Sequence, residues 1–253
     1  MYQPRTYRNW VRGRDLVSFN VTVKETDLHI RAVKNLKSKA IRMVTKYREA
    51  LEGYIERHQS FLTSLEPFPA GDDAPRIVRL MADSSEKAGV GPMASVAGAI
   101  AELVGSELLE FSPEVIIENG GDIFLKSLKS RTISIYAGNS PLTGKIGLVI
   151  EAEQTPAGIC TSSGTVGHSL SLGKADAVVA VAPSAALADA AATAIGNKVT
   201  HPDDIQHGID LAMTIDGLKG VLIIKDDAIG LWGEVQLCQL ESPEPAPANN
   251  LFP

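Results

Sequence analysis

The run Ala177–Ala182, AVVAVA, restricts the fold more than any other stretch of the 253-residue chain. Six consecutive apolar residues without alternation fit a strand covered on both faces. From Ser184 to Ile195 the sequence turns alanine-rich, with Ser184 as the natural N-cap of a helix. Met93 to Val104, MASVAGAIAELV, makes a second helix of the same small-residue kind. Helices with so little side-chain bulk permit close approach of a sheet or of a ligand.

Other periodicities fill in the frame. Val17, Phe19, Val21 and Val23 alternate with Ser18, Asn20 and Thr22, and after the turn residues Lys24–Asp27 the alternation resumes at Leu28 and Ile30. That is a β-hairpin. Leu36, Ala40, Val44, Tyr47, Leu51, Tyr54 and His58 recur every three or four residues, which predicts a long amphipathic helix capped by Asn35, with His58 at the edge of the core. A helix is expected over 76–88 after the proline-rich loop 66–75. Strands are expected at 115–118, 123–126, 132–137 and 146–151, and a final hairpin at 221–225 and 228–232. The chain reads as one domain over 1–240, followed by a disordered tail, 241–253, with four prolines. A small-residue helix twice precedes a hairpin, before Asn119–Asp122 and before Asp226–Asp227, a pattern that fits an internal duplication.

Charge narrows the range of partners. The chain has 24 Lys and Arg against 30 Asp and Glu, a net charge of −6. A nucleic-acid footprint normally needs a basic face, and local basic patches such as Arg5, Arg8, Arg12 and Arg14 are confined to a short N-terminal stretch that a solvated strand edge explains as well. No stretch approaches the ~20 apolar residues that span a bilayer, and the first residues lack the pattern of a signal peptide. Two cysteines, Cys160 and Cys238, argue against a disulfide framework. The expectation is a cytoplasmic protein that binds neither nucleic acid nor membrane.

Three polar stretches could carry chemistry. Asn119, Gly120, Gly121 and Asp122 form a turn whose glycines could expose backbone N–H groups to phosphate oxygens, although Asn-Gly is also the commonest hairpin turn. Thr161, Ser162, Ser163 and Gly164 lead to His168; the hydroxyls suit a ligand loop better than a nucleophile, because no orienting third group or nucleophile elbow is present. Asp189 and Thr193 stand at i and i+4 of the alanine-rich helix, and a carboxylate and a hydroxyl one turn apart suit a hard cation such as Mg²⁺. An aspartate early in a helix also favours the helix dipole with no metal present.

Taken together, GVGPMASVAGAIAE, IENGGDI, TSSGTVGHS, ADAVVAVA and LADAAATAIGN resemble the ApbE-like superfamily, whose best-known members are FAD:protein FMN transferases. The likeness is strongest over residues 89–197 and looks like an uncharacterised branch. It implies an α+β fold with mainly antiparallel sheet packed with helices. It implies Asp189 and Thr193 as a Mg²⁺-binding pair, FAD as substrate or ligand, and Asn119–Asp122 with Thr161–Gly164 around the flavin nucleotide. His168 is the candidate for acid–base work. An acceptor protein and an oligomeric state are compatible with it.

The departures bear on activity. The transferases carry His-x-x-Asp-Pro-x-Thr-Gly before the buried strand, whereas here only Ser169–Lys174 separates His168 from Ala175 and Asp176. The family's Lys-Gly and Asp of the preceding helix are replaced by Gly91-Pro92-Met93 and small residues. The resemblance therefore leaves three readings open: Mg²⁺-dependent FMN transfer or pyrophosphate cleavage of FAD, a non-catalytic ligand-binding protein, or an enzyme for another phosphorylated or heterocyclic ligand.

Overall fold

The computed structural model describes residues 15–165 and 172–240. Its centre is an eight-stranded, wholly antiparallel sheet. Strands β1 (Val17–Val23) and β2 (Thr26–Ala32) form the first hairpin. Helices α1 (Lys37–Arg57), α2 (Gln59–Thr63), α3 (Arg76–Ala88) and α4 (Val96–Leu108) follow, then the hairpin β3 (Val115–Asn119) and β4 (Asp122–Lys126). β5 (Arg131–Ser134) and β6 (Ile146–Ile150) leave the large sheet. The hairpin β7 (Ala157–Ser162) and β8 (Ala177–Ala182), helices α5 (Ala185–Gly196) and α6 (Ile205–Thr214), and the hairpin β9 (Gly220–Lys225) and β10 (Ala228–Gly233) complete the pattern. A last strand, β11 (Gln236–Gln239), joins β6 and β5 in a three-stranded sheet.

The order β1-β2-β3-β4-β7-β8-β9-β10 consists of two units of one topology. In each unit a hairpin leads through helices to a second hairpin, and the inner strands pair, β2 with β3 and β8 with β9. The internal duplication is present as architecture. The units meet along one seam, where β4 pairs with β7 and α4 packs on α5.

Period 2 sorts the strand side chains between two cores. Val115, Ile117, Phe124, Cys160, Val178 and Ala180 face the helices, while Ile123, Leu125, Ile159, Val179 and Leu222 face the small sheet. β8 is buried at all six positions, as its unalternating sequence requires. The seam is tight because its residues are small. A Cβ on Gly158 would come within 2.3 Å of the Ala185 Cα, and one on Gly98 within 2.2 Å of the Ala185 carbonyl oxygen.

Several expectations need correction. The second small-residue helix begins later than Met93: Pro92–Ser95 is a 3₁₀ turn and the α-helix runs from Val96 to Leu108. The N-cap position of α1 is Leu36, although the Asn35 side chain accepts a hydrogen bond from the Lys37 N–H (2.9 Å). His58 lies at the C-cap, exposed and stacked on Tyr54 with ring centroids 4.2 Å apart. Strand β7, helix α6 and strand β11 went unforeseen, and Thr161 and Ser162 belong to β7 rather than to a loop. Arg5, Arg8, Arg12, Arg14, His168 and the tail 241–253 lie outside the described residues. No single helix among the described residues is long and apolar enough to cross a membrane.

Candidate functional site

Antiparallel pairing brings the turns at 24–25, 120–121 and 226–227 and the end of β7 to one rim of the large sheet. On the helical face of that rim, the three stretches singled out in the sequence converge across the seam. α5 supplies the sharpest signal. Ten of its twelve residues are buried, and the two that are not are Asp189 and Thr193. Asn197, one turn further along the same row, is half-buried, and its Oδ1 accepts the Leu172 N–H (2.9 Å).

Each neighbour of this pair is held by a specific bond. The Gly98 N–H of α4 donates to Asp189 Oδ2 (2.9 Å), a contact open only to glycine, because a Cβ there would lie 2.8 Å from the Asp189 Cβ. Asn119 Nδ2 donates to the Ala97 carbonyl (3.0 Å), tying the β3–β4 turn to the first turn of α4. The Thr161 N–H donates to Asp122 Oδ1 (3.3 Å). Between the two aspartates lies Cys160, fully buried, with its Sγ donating to the Ala185 carbonyl (3.2 Å). Alternation along β7 sends Cys160 and Ser162 toward the helices and Thr161 to the opposite face, so Thr161 reaches the site through its backbone. Ser162 Oγ lies 3.6 Å from the position a Cβ on Gly196 would take. Ser163 is half-buried, and Gly164 is exposed, its N–H donating to the Ala175 carbonyl (2.9 Å).

The glycine turn is a genuine hairpin turn. Asn119 pairs with Asp122 in the ladder, and Gly120 and Gly121 have φ of +72° and +114°. The Gly121 N–H is already engaged by Glu118 Oε1 (3.0 Å), so one of the two amides proposed for phosphate has an internal carboxylate on it. At φ +114° a side chain strains the backbone whatever the surrounding space. Gly121→Ala is expected to lose roughly 1–3 kcal/mol of stability without any ligand, measured by urea denaturation. A variant as stable as the parent would show that the turn relaxes freely.

Burial dominates the electrostatics. It pushes the Asp122 carboxyl up to about 7, against the Thr161 N–H and the Cys160 thiol, which favour the charged form; Glu118 adds a further push upward. Asp189 rises well above the usual carboxylate range, first from burial of its carboxyl and next from the charge of Asp122. This holds although the residue as a whole keeps some exposed surface. The Cys160 thiol is raised too, by burial and then by the two aspartates. The site is thus a pair of carboxyls that resist ionising together, edged by hydroxyls and small residues.

A separate recess of about 260 Å³ is lined by Asn139, Ser140, Pro141, Asp176, Asp226 and Asp227. Its buried Asp176 already accepts from the Asp226 N–H (2.6 Å) and the Thr165 hydroxyl (3.2 Å), and none of the nominated residues lines it.

Sequence reasoning nominated Asp122, Asp189 and Thr193 but passed over Gly98, Glu118 and Cys160. The lone glycine in VAGAIAE is the signal that could have disclosed the close approach of α4 to α5.

A family model described as AbpE bacteria matches residues 8–216. The UPF0280 proteins of Methanocaldococcus jannaschii and Methanococcus vannielii are 44% and 45% identical to this chain. Those alignments cover 85% and 87% of it, and 90% and 92% of the relatives. Among solved structures, the apo form of the Pseudomonas stutzeri flavinyl transferase ApbE aligns with a TM-score of 0.57 at 14% identity, covering 86% of this chain and 94% of that one. The ApbE protein of Thermotoga maritima aligns at 0.50 and 11% identity, covering 85% and 96%.

Proposed function

Because the chain belongs to the family described as AbpE bacteria and shares its fold with ApbE flavin transferases, we propose that the seam cleft binds a flavin nucleotide and cleaves FAD with the help of Mg²⁺. The observation that carries this reading is the pair Asp189 and Thr193, the only two residues of α5 that are not fully buried, with Asp189 bonded to Gly98, whose neighbour Ala97 is bonded to Asn119 of the glycine turn. Hard oxygen donors of this kind fit Mg²⁺. Among the described residues no three His, Cys, Asp or Glu side chains are grouped as metal ligands, so substrate oxygens and water would complete the coordination. The raised carboxyls support the same reading, since a cation is what would let two buried carboxylates share one site. When bound, Mg²⁺ would neutralise charge developing on the pyrophosphate.

The chain's own residues would do the rest. Asp189 and Thr193 would hold the cation, and the glycine turn would let backbone approach the nucleotide. Gly98 and Asn119 hold the walls in place. Asp122 is held near neutrality only without a cation, so beside bound Mg²⁺ it would stand as a carboxylate at the edge of the site. His168 is the candidate to move a proton near pH 7. The products would be FMN, transferred to a protein hydroxyl or to water, and AMP.

The test is incubation with FAD and Mg²⁺, with chromatography for FMN and AMP. Asp189→Ala is expected to weaken Mg²⁺ binding and to abolish turnover. Metal affinity equal to the parent's would remove Asp189 from the site. Tight FAD binding without turnover would leave a ligand-binding protein, and neither binding nor turnover would mean that the cleft takes a different ligand.

A further inference from the structure

The α4–α5 interface poses a mechanical problem. Small residues line the contact: a Cβ on Gly98 of α4 would lie 2.2 Å from the Ala185 carbonyl oxygen and 2.8 Å from the Asp189 Cβ of α5, and Ala101, Ala185, Ala188 and Ala192 are all buried. Small side chains let two helices approach closely, but they offer few ridges to fix the axial position of one on the other. That position decides where Asp189 and Thr193 stand relative to the β3–β4 turn.

Two polar ties cross the interface. One is the bond from the Gly98 N–H to Asp189 Oδ2 (2.9 Å). The other is made by Glu102, one turn further along the same face of α4. Its Oε2 accepts from the Ser184 hydroxyl (2.7 Å) and from the Ala186 N–H (3.1 Å), while Ser184 Oγ accepts from the Leu187 N–H (3.3 Å). A carboxylate from one helix therefore completes the N-cap of the other, where first-turn N–H groups lack partners within the helix and the dipole favours negative charge. The two ties differ in kind. Asp189 belongs to the site, so its bond to Gly98 competes with whatever the site binds. Glu102 has no such competitor.

We propose that Glu102 is a positioning residue: it sets the register of α5 on α4, and through it the placement of Asp189 and Thr193, and it keeps that register when Asp189 turns to a bound cation. The last clause rests on the cation reading above; the register itself does not.

Two measurements separate these. The first needs no ligand: amide hydrogen exchange by NMR on the parent, Glu102→Ala, Glu102→Gln and, as control, the exposed Glu110→Ala. Glu102→Ala should speed exchange at Gly98 by at least about tenfold relative to amides of the outer strands β1 and β10. Glu102→Gln, whose carbonyl still accepts, should recover part of that protection, and Glu110→Ala should leave it unchanged. Faster exchange at Ala186 with Gly98 as protected as in the parent would overturn the proposal, because the carboxylate would then be only a cap. Should Glu102→Ala fail to fold, Glu102→Gln decides: Gly98 is expected to exchange at least about threefold faster than in the parent, and equality sinks the idea. The second measurement is Mn²⁺ binding by EPR, where Glu102→Ala should raise the dissociation constant about tenfold. An unchanged constant would show that register does not govern the cation. No Mn²⁺ binding by the parent would defeat the cation reading and the clause that depends on it, leaving the exchange data to judge the register.

Discussion

Asp122→Asn should stabilise the protein above pH 7 and cripple its chemistry. In the folded state burial raises the Asp122 carboxyl from an ordinary value of 3.8 to about 7. The folded protein therefore binds a proton that the unfolded chain releases between those values. The sign follows by linkage: below about pH 4 both states are protonated and the residue costs nothing. From pH 4 to 7 stability falls as pH rises, and above 7 the whole cost is present. At about 1.4 kcal/mol per pH unit, the rise corresponds to roughly 4 kcal/mol. Asparagine keeps the shape and can still accept from the Thr161 N–H, but carries no charge to desolvate. Urea titrations at pH 4 and pH 8 should show the variant near the parent at the lower pH and more stable by several kcal/mol at the higher. A variant weaker than the parent at pH 8 would show that the carboxylate is already solvated or paired there. Loss of FAD turnover in the more stable variant would mark Asp122 as a group kept for function at the expense of stability.

Arg131→Met should be the most damaging substitution away from the cleft. Arg131 links three parts of the chain. Its Nη1 and Nη2 donate to the two oxygens of Asp15 (2.8 and 3.0 Å), Nη2 also donates to Glu114 Oε2 (2.9 Å), and Nε donates to Ser127 Oγ (2.8 Å). The Arg131 and Glu114 side chains are each 9% exposed. Hydrogen bonds from Arg131 hold the Asp15 carboxyl well below the usual range. For Glu114, burial pulls upward but is outweighed by the Ser127 hydroxyl, the Leu128 N–H and Arg131. Removing one member of a buried pair strands the other, at a cost of about 3–5 kcal/mol. Adding Glu114→Gln to Arg131→Met should recover part of that loss, because no unpaired buried charge then remains. Denaturant midpoints of the two singles and the double check this, and full additivity would mean the pair does not interact. In the parent, both carboxyls are depressed, so the stability they confer is present above their unfolded values near pH 4 and is lost as pH falls through the folded ones.

The parts of the fold legible in sequence were those governed by local chemistry. The 3.6-residue period placed α1, the proline-rich loop marked where α3 begins, the serine cap placed the start of α5, and an unalternating apolar run marked β8 as a strand covered on both faces. β7 escaped because its last residues, Thr161 and Ser162, are hydroxyl-bearing and precede a glycine, which reads as a turn; only its pairing with β4 and β8 makes it a strand. β11 is a four-residue strand that exists through its pairing with β6. At the site, the i, i+4 spacing singled out Asp189 and Thr193 because one helix carries both. The approach of Asp122 to Asp189 lies beyond any spacing rule, since their meeting depends on how one unit of the fold docks against the next. The part of Glu118 was hidden for a similar reason, because a carboxylate beside a glycine turn looks like a solvated charge until its bond to Gly121 is seen.

The tandem arrangement of the two units also bears on how copies of the chain would meet. In the vocabulary of assembly symmetry the internal join is heterologous: the last strand of one unit, β4, meets the first of the next, β7. Such a join has no built-in closure, and the same kinds of edge recur at the ends of the sheet, with β1 first and β10 last. Among the described residues no strand pairs with the outer edge of β1 or β10, and neither VSFNVTV nor AIGLWG contains the lysine, glutamate or proline that commonly blunts such an edge. Self-association by strand addition would therefore lengthen the sheet in its own plane, far from the seam, and would leave the cleft between α4 and α5 open in every copy.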